Sequence, residues 1–370
     1  MKEKKQAIYL VIAVGSIFFG LSLLCLIKGF VPNTYSHSER RLLAQLPRLS
    51  PEAVTAGRFA GEFETYSQDQ FPFRETFRRL KARFSMEILG KKDNNGIYFT
   101  EGHLGKLDYP LNRQQLQYAL EKIEKIYENW LEGKVKSCSL AVIPDKNAYL
   151  AEKNGYPSMD YEALYELVKE NTSYLELIDI RYLLSQEDYY YTDIHWRQET
   201  LLPAAKEIAA ALGHTLTGEY GVKTATKEFY GVLTGQSALK TEPDILRYLT
   251  NETLENCIVT HWDTGKPVRM SIYQEDKLSG TDAYDFFLSG AKALITIENP
   301  AAAGKGELIV FRDSFGSSLI PLLTEGYETI TLVDIRYLSS DFLGEYIDFD
   351  GQEVLFLYST MLLNNSLGLK

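Results

Sequence analysis

The C-terminal third of the chain constrains the fold most, because short apolar runs alternate there with helical patterns. The alternation predicts strands over residues 307–311, 329–333 and 353–358, with helices over residues 317–324 and 337–346 between them. Apolar strands separated by helices are typical of a parallel sheet that is covered on both faces. We therefore predict an α/β fold, in which functional residues gather at the carboxyl ends of the strands.

The rest of the chain contains the same kinds of segment with less regularity. Strands are predicted over residues 97–99, 139–143 and 175–180, and helices over residues 77–88, 116–130, 161–170 and 198–212. Residues 218–300 are rich in threonine, glycine and short alternating runs, and they fit either loops or a small β-rich insertion. The secondary structure of this segment is the least predictable in the chain.

The N-terminus combines a lysine cluster with a long apolar run. Lys2, Lys4 and Lys5 precede residues 7–27, a stretch of 21 residues without charge. A helix of this length spans a hydrocarbon core about 30 Å thick, since each residue adds about 1.5 Å. The lysines favour a cytoplasmic N-terminus, so the rest of the chain is expected outside the cell membrane. A cleaved signal peptide has a similar charge pattern and is the alternative.

These features divide the chain into a short tail, an anchor, a linker and an ectodomain. The predicted segments are a cytoplasmic tail over residues 1–6, a transmembrane anchor or uncleaved signal over residues 7–29, a juxtamembrane linker over residues 30–60, and an ectodomain over residues 61–370 with the insertion at residues 218–300. The predicted location is the cell membrane, with a single pass and an extracytoplasmic ectodomain.

The composition argues against several classes of function. A net charge of −11 and the lack of a long basic run argue against a nucleic-acid partner. The sequence contains no CxxC, HExxH or spaced Cys/His cluster, so no metal site is predicted. Cys138 and Cys257 are the only cysteines beyond the apolar run, and each precedes apolar residues. We expect them to be buried residues and not a necessary disulfide.

Asp193 and His195 lie two residues apart in a chain that has only five histidines. A carboxylate at this spacing can hold one ring nitrogen, fix the tautomer and stabilise the imidazolium form. The alternative is a structural turn, or a histidine that packs beside Trp196.

Ser314 lies where the apolar residues 308–311 give way to Gly316 and a helical pattern. A serine in a strand-to-helix turn can expose its hydroxyl close to the first helical amides, which stabilise a developing oxyanion. The alternative is a helix N-cap, a position that serine also favours. The sequence around Ser314 does not have the Gly-x-Ser-x-Gly form, so the common α/β-hydrolase elbow is not supported. Together with Asp193 and His195, this serine would complete an acid, a base and a nucleophile for acyl transfer.

Three further residues are candidates for substrate binding. Lys146 and Arg336 follow predicted strands, where they would meet an anionic or hydroxyl-rich substrate, although surface salt bridges explain them equally well. Trp196, next to His195, is the third candidate.

A set of ordered motifs resembles a known family over most of the chain beyond residue 38. The motifs are Glu39-Arg40-Arg41-Leu42-Leu43-Ala44, Asp69-Gln70-Phe71-Pro72-Phe73-Arg74, Pro144-Asp145-Lys146, Asp193-Ile194-His195-Trp196, Arg312-Asp313-Ser314-Phe315-Gly316, Val333-Asp334-Ile335-Arg336 and Leu355-Phe356-Leu357-Tyr358. Their order resembles the DHHW-motif proteins of bacterial cell envelopes, which are similar to alginate O-acetyltransferases with an SGNH-hydrolase-like core.

The resemblance implies a site and a fold. In the acetyltransferase relatives the Asp and His of an Asp-x-His-Trp motif and a later Ser form a catalytic triad, which matches Asp193, His195 and Ser314 here. Ile194 replaces the first histidine of the family motif, a position that also varies among those acetyltransferases. The implied fold is a three-layer, SGNH-hydrolase-like parallel sheet with helices on both faces, preceded by a single transmembrane helix.

The resemblance also implies partners and an activity. The substrate would be a polysaccharide or cell-wall glycan, a membrane protein is a possible acyl donor, and no cofactor is implied. The predicted function is acyl-ester chemistry on extracellular carbohydrate, as an O-acetyltransferase or an O-acetylesterase. The alternative is a non-catalytic binding or scaffold protein of the cell envelope that keeps the fold. The distances from His195 to Ser314 and Asp193 distinguish these two interpretations.

Overall fold

A computed structural model describes residues 2–262 and 265–370. The chain forms two compact units: the first comprises the residues up to Asn95 together with Thr234–Lys240, and the second comprises Gly96–Leu233 and Thr241–Lys370. The predicted boundary at residue 60 falls inside the first unit. The helix Arg58–Asp69 spans residue 60. Its last residue, Asp69, accepts a hydrogen bond from the Ala44 amide and forms an ion pair with Arg41, so this helix packs with part of the predicted linker.

Helices occur throughout the chain, and several of them are short. They are α1 (Lys2–Phe30), α2 (Pro51–Thr55), α3 (Arg58–Asp69), α4 (Arg74–Arg83), α5 (Arg113–Ile126), α6 (Asn147–Leu150), α7 (Tyr161–Asn171), α8 (Leu202–Ala211), α9 (Val232–Ser237), α10 (Glu252–Asn256), α11 (Gly316–Leu319) and α12 (Thr360–Asn364). Single π-helical turns, Phe84–Ile88 and Tyr127–Leu131, extend α4 and α5.

The strands are short in the first unit and longer in the second. They are β1 (Tyr35–Ser36), β2 (Arg41–Leu42), β3 (Asp93–Asn94), β4 (Ile97–Thr100), β5 (His103–Lys106), β6 (Ser137–Ile143), β7 (Glu176–Ile178), β8 (Gly221–Phe229), β9 (Asp244–Thr250), β10 (Ile258–His261), β11 (Val268–Met270), β12 (Leu294–Glu298), β13 (Glu307–Arg312), β14 (Thr329–Val333) and β15 (Glu353–Ser359).

An eight-stranded sheet forms the centre of the second unit, in the order β11-β10-β12-β14-β13-β15-β6-β7. The five strands from β14 to β7 are parallel, which confirms a mostly parallel α/β sheet. The other three strands are antiparallel, a difference from the prediction. They come from the insertion, where six residues join β10 to β11, and a connection that short can only form a hairpin.

Alternate residues of the central strands enter two hydrophobic cores. Leu308 and Val310 of β13 belong to the core that contains residues of α8, whereas Ile309 and Phe311 belong to the core that contains residues of α5 and α7. This alternation follows from the two-residue period of a strand. Helices therefore cover both faces of the sheet, and the carboxyl ends of its parallel strands share one edge.

Two predicted helices differ from the observed elements. Residues 337–346 contain only a 3₁₀ segment, Ser340–Glu345, whose first turn is capped by the Ser339 hydroxyl; such local side-chain bonds compete with α-helix. Over residues 317–324, α11 gives way to the 3₁₀ segment Ile320–Gly326, because Pro321 has no N–H to donate to an α-helical bond.

The N-terminal helix α1 is exposed along its apolar length. Its segment Lys4–Gly29 is long and apolar enough to cross a membrane, a property that a signal sequence shares. Cys25 lies on this exposed helix, Cys138 is partly buried on β6, and Cys257 is buried; all three are free thiols.

Candidate active site

Ser314 lies in a tight turn between β13 and α11, at the carboxyl end of the parallel strands. Only three residues separate the end of the strand from Gly316, the first residue of the helix. A Cβ atom at Gly316 would lie 3.0 Å from the Cβ of Arg312, so the turn favours a residue without a side chain. Asp313 fixes the turn because its carboxylate accepts the amides of Phe315 and Ser359.

The hydroxyl of Ser314 does not cap the helix. The N-cap position is Phe315, and no side chain caps this end of α11. Ser314 is partly exposed although Asp313 and Phe315 on either side of it are buried. Its backbone N–H donates to no acceptor within residues 2–262 and 265–370. The turn therefore offers both a hydroxyl and a nearby amide donor to a bound molecule.

His195 joins Ser314 to Asp193 through its two ring nitrogens. Its Nε2 atom lies 2.8 Å from the Ser314 Oγ, and its Nδ1 atom lies 2.6 Å from the Asp193 Oδ1. An ionised carboxylate can only accept, so Nδ1 carries the proton and Nε2 is left to accept from the Ser314 hydroxyl. Residues 119 positions apart in the sequence thus form one hydrogen-bonded series.

The carboxylate of Asp193 is fully buried, and backbone amides hold it in place. It accepts the His195 amide at 3.1 Å through Oδ1 and the Val232 amide at 2.7 Å through Oδ2. A Cβ atom at Gly231 would lie 2.4 Å from the Asp193 Cβ and from the Thr192 carbonyl oxygen. Gly231 is therefore required for this close approach, since backbone cannot move aside as a flexible side chain can.

A second buried carboxylate, Asp244, fixes the segment just before Asp193. It accepts the Tyr191 and Thr192 amides at 2.8 Å and the Thr192 hydroxyl at 2.6 Å. Burial raises the pKa of Asp244, and these hydrogen bonds oppose that effect. Asp244 lies on β9, so the insertion supplies part of the support for the site.

Tyr284 and Phe315 form an aromatic enclosure around the imidazole. The ring of Tyr284 stacks on His195 with centroids 3.8 Å apart and an interplanar angle of 5°, and the ring of Phe315 lies 4.9 Å away. Tyr284 is buried and its hydroxyl is 2.8 Å from the Ser318 Oγ, so its own position is fixed. Rotation of the imidazole away from Ser314 is therefore sterically restricted.

Trp196 lies beneath the site and has no exposed surface. Its indole N–H donates to the Phe315 carbonyl oxygen at 3.0 Å and lies 2.9 Å from the Ser318 Oγ. The expectation that Trp196 binds substrate therefore does not hold, because a fully buried indole has no face to offer. Its observed contacts instead connect the His195 segment to the Ser314 turn.

Lys146 and Arg336 lie beyond strand ends but are committed to protein partners. The Lys146 ammonium is buried and donates to the carbonyl oxygens of Tyr190 at 2.9 Å and Tyr191 at 3.4 Å. Burial lowers its pKa to about 8, and the charges of nearby carboxylates, Asp193 among them, oppose this effect. Such a buried amine supports the segment that leads to Asp193, and it has little surface for a substrate.

Arg336 makes a two-pronged ion pair with Asp334, at 2.8 Å from Nε and 2.6 Å from Nη2. About a quarter of its side chain remains exposed. This pairing raises the pKa of Arg336 in spite of burial. Its role in substrate binding stays a prediction, since the exposed part of the guanidinium can still meet an acceptor.

Arg312 is a buried cation that sequence reasoning missed as part of the site. Its guanidinium donates to the carbonyl oxygens of Asp313 and Gly290 and to the Ser317 hydroxyl. Burial lowers its pKa, an effect that the charges of Asp334 and Asp313 oppose. It ties the Ser314 turn to the backbone of the insertion.

No local pattern indicated the supporting residues Tyr284, Gly231, Val232 and Asp244, because all of them lie in the segment 218–300, whose secondary structure was the least predictable. A small cluster explains their placement: Tyr190, Phe229, Leu246, Tyr284, Phe286 and Phe287 form a separate hydrophobic core. This core packs the insertion against the segment that carries Asp193 and His195. Within residues 2–262 and 265–370, no group of three His, Cys, Asp or Glu side chains is arranged to hold a metal ion.

Comparisons by sequence, against family models and against curated proteins, give no match. Comparison with solved structures gives several. A DHHW family protein from Eubacterium siraeum matches with a TM-score of 0.60 and 21% identity, over 75% of this chain and 95% of that chain. Bacillus cereus PatB1 with a sulfonyl adduct matches with a TM-score of 0.55 and 20% identity, over 72% of this chain and 97% of that chain.

A third structure, the O-acetyltransferase domain of Pseudomonas putida AlgJ, gives a TM-score of 0.46 and 15% identity, over 73% of this chain and 92% of that chain. The first match confirms the predicted likeness to a DHHW family protein. At 20 to 21% identity, what the first two structures share with this chain is the fold.

Proposed function

We propose that this chain is an acyl-ester enzyme of the serine-triad type that acts on O-acetyl groups of extracellular carbohydrate. The observation that carries the proposal is the series of hydrogen bonds from the Ser314 hydroxyl through His195 to the Asp193 carboxylate. The series ends in a partly exposed hydroxyl, whereas its other two members are buried. A serine activated by a buried imidazole–carboxylate pair is the arrangement that acyl transfer requires.

In the proposed first step, the Ser314 oxygen attacks the carbonyl carbon of an acetyl ester while His195 Nε2 takes the hydroxyl proton. Asp193 stabilises the imidazolium that forms, and the Ser314 amide donates to the oxyanion. The ester bond then breaks, the imidazolium gives its proton to the departing alcohol, and an acetyl group remains on Ser314.

In the second step, a hydroxyl group of a sugar or of water attacks the acetyl-Ser314 carbonyl and gives its proton to His195. The bond between the acetyl carbon and the Ser314 oxygen then breaks, His195 returns the proton to that oxygen, and the acetyl group leaves on the attacking oxygen. Transfer to a sugar makes the protein an O-acetyltransferase, and transfer to water makes it an O-acetylesterase. Carbohydrate as the substrate class is supported by the resemblance to alginate O-acetyltransferases, and a membrane acyl donor would fit an anchored enzyme.

A covalent probe tests the proposal directly. PatB1, which shares the fold, has been solved with a sulfonyl adduct, and sulfonyl fluorides modify nucleophilic hydroxyl groups. We expect a sulfonyl fluoride to modify the full chain at Ser314, as mapped by peptide mass spectrometry, and the His195→Ala protein to remain unmodified. Equal modification of both proteins, or modification of many serines alike, would contradict an activated Ser314.

The ring of Tyr284 should matter more than its hydroxyl. Tyr284→Leu removes the face on which His195 stacks, and we expect kcat/KM on an acetyl ester to fall roughly 10- to 100-fold, because a small misplacement of a catalytic group is costly. Tyr284→Phe keeps the stacking and should retain most of the activity. The measurement is the esterase rate of both variants, each with a thermal melt to confirm folding. Equal losses in two folded variants would assign the effect to the hydroxyl group near Ser318 and contradict a role for the stacked ring.

The location of the proposed activity is testable by protease access. We propose that α1 anchors the chain with the lysine cluster in the cytoplasm, since the uncharged residues 7–27 of this helix follow Lys2, Lys4 and Lys5. Protease added to intact cells without their wall should then remove the residues beyond about residue 35. Complete protection, under conditions where a known surface protein is cut, would reverse the orientation and remove extracellular carbohydrate from consideration.

A further inference from the structure

The first unit carries a stripe of exposed apolar side chains along α4 and the π-helical turn after it. The stripe comprises Phe77, Leu80, Phe84 and Ile88, which are between 43% and 69% exposed. A spacing of three or four residues places them on one side of a helix. Apolar side chains at this spacing usually face a core, so their exposure calls for another explanation.

The side of this helix that packs on its own unit is polar or small. Arg78 donates to the carbonyl oxygens of Gly235 and Gln236, and Ala82 and Ser85 are buried beside it. The usual amphipathic pattern of a soluble protein is therefore inverted here: the polar side faces the protein and the apolar side faces outward. The first unit itself thus leaves the stripe uncovered.

The charges around the stripe differ from those of the whole chain. Residues 74–92 contain seven Lys or Arg residues and two Glu residues, a net charge of +5 in a chain whose net charge is −11. Lys81 and Arg83 are exposed, and on a helical projection they lie on opposite sides of the stripe. Long basic side chains beside an apolar stripe can extend to phosphate groups while their stems cover apolar surface.

The stripe lies close to the helix that is apolar enough to enter a membrane. A cavity of about 1460 Å³ in the first unit is lined by Ser22, Cys25 and Gly29 of α1 and also by Phe77 and Lys81. Phe77, at the start of the stripe, therefore lies close to the C-terminal part of α1. An apolar helix side that is flanked by cations and lies close to the end of such a helix fits a membrane interface better than a second protein surface.

We propose that α4 and its π-helical extension lie on the membrane surface into which α1 inserts. Phe77, Leu80 and Phe84 enter the acyl-chain boundary, and Lys81 and Arg83 bind the phosphate groups of anionic phospholipids. The inference is independent of the catalytic proposal, because it uses no residue of the candidate active site. Its consequence is that the first unit is held at the membrane by more than the N-terminal helix.

Spin-label accessibility in the full chain tests this arrangement. Chains with one labelled cysteine each, at Phe77→Cys, Leu80→Cys or Phe84→Cys, are prepared with Cys25, Cys138 and Cys257 replaced by alanine. They are reconstituted in vesicles of phosphatidylcholine and phosphatidylglycerol. Native Cys25 alone serves as the lipid control, and Glu121→Cys on α5 serves as the solvent control. Collisions with oxygen and with a water-soluble nickel chelate are then measured for each label.

We expect the ratio of oxygen to nickel accessibility at the stripe to be several-fold higher than at Glu121→Cys and to approach that of Cys25. A ratio equal to that of Glu121→Cys would place the stripe in water and overturn the proposal. Shielding from both reagents would mean that a second protein surface covers the stripe, which also overturns it.

A charge-matched set of variants tests the anionic lipid. Replacing Lys81 and Arg83 with glutamine in the Phe84→Cys chain should reduce the ratio in vesicles that contain phosphatidylglycerol. Replacing the partly exposed Lys122 and the exposed Lys125 of α5 with glutamine instead removes the same charge and should leave the ratio unchanged. An equal ratio in the two sets would overturn the binding of anionic phospholipids.

Discussion

Ser314→Ala and His195→Ala should each remove nearly all esterase activity. Each change breaks the hydrogen bond between the Ser314 Oγ and the His195 Nε2, and we expect kcat to fall roughly 10⁴- to 10⁶-fold, on the pattern of serine hydrolases. The double variant should be no slower than the single variants, because the residues act as one unit. The measurement is the hydrolysis rate of one chromogenic acetyl ester by the full-length proteins.

Folding should survive these substitutions, since Ser314 is partly exposed and does not cap α11. Ser317→Ala, three residues further along the chain and within α11, is the matched control: its hydroxyl contacts Arg312 and not His195, so most activity should remain. Equal rates for the native chain and the Ser314→Ala protein, both shown folded by thermal melting, would rule out the triad. The preferred interpretation would then be a binding or scaffold protein with this fold.

Asp193→Asn should slow the reaction roughly 10³- to 10⁴-fold with only a modest loss of stability. The single oxygen of the new amide can take the place of Oδ2 and accept the Val232 amide, so the hydrogen bond from the His195 amide to Oδ1 is the backbone contact that is lost. Its NH₂ group, however, would donate to His195 Nδ1 and leave the proton on Nε2, where it prevents the imidazole from acting as a base. The same ester assay measures the change.

Asp244→Asn provides the comparison, because Asp244 supports the same segment without contacting the imidazole. We expect it to lower the thermal midpoint more than the rate. If Asp193→Asn retained activity within about tenfold of the native chain, tautomer control by Asp193 would be disproved. If both variants lost rate and stability in parallel, the carboxylates would serve only to hold the segment.

The sequence by itself determined the parallel part of the sheet. The apolar runs that became β6, β13, β14 and β15 were located within one or two residues, because a strand buried on both faces requires nearly continuous apolar residues. The sequence also determined the candidate nucleophile, base and acid, since a two-residue spacing brings Asp193 and His195 together through local geometry alone.

The tertiary structure decided whether that pair meets Ser314. Their approach depends on the order of the strands and on the turns at one edge of the sheet, which local patterns do not specify. The enclosure of His195 by Tyr284 and the support of the Asp193 segment by Asp244 were likewise decided by packing of the insertion. The short alternating runs of the insertion did not predict one kind of secondary structure. The exposure of the stripe from Phe77 to Ile88 was also decided by the tertiary structure. Spacing shows which side chains share a face, but only the packed structure shows whether that face is buried.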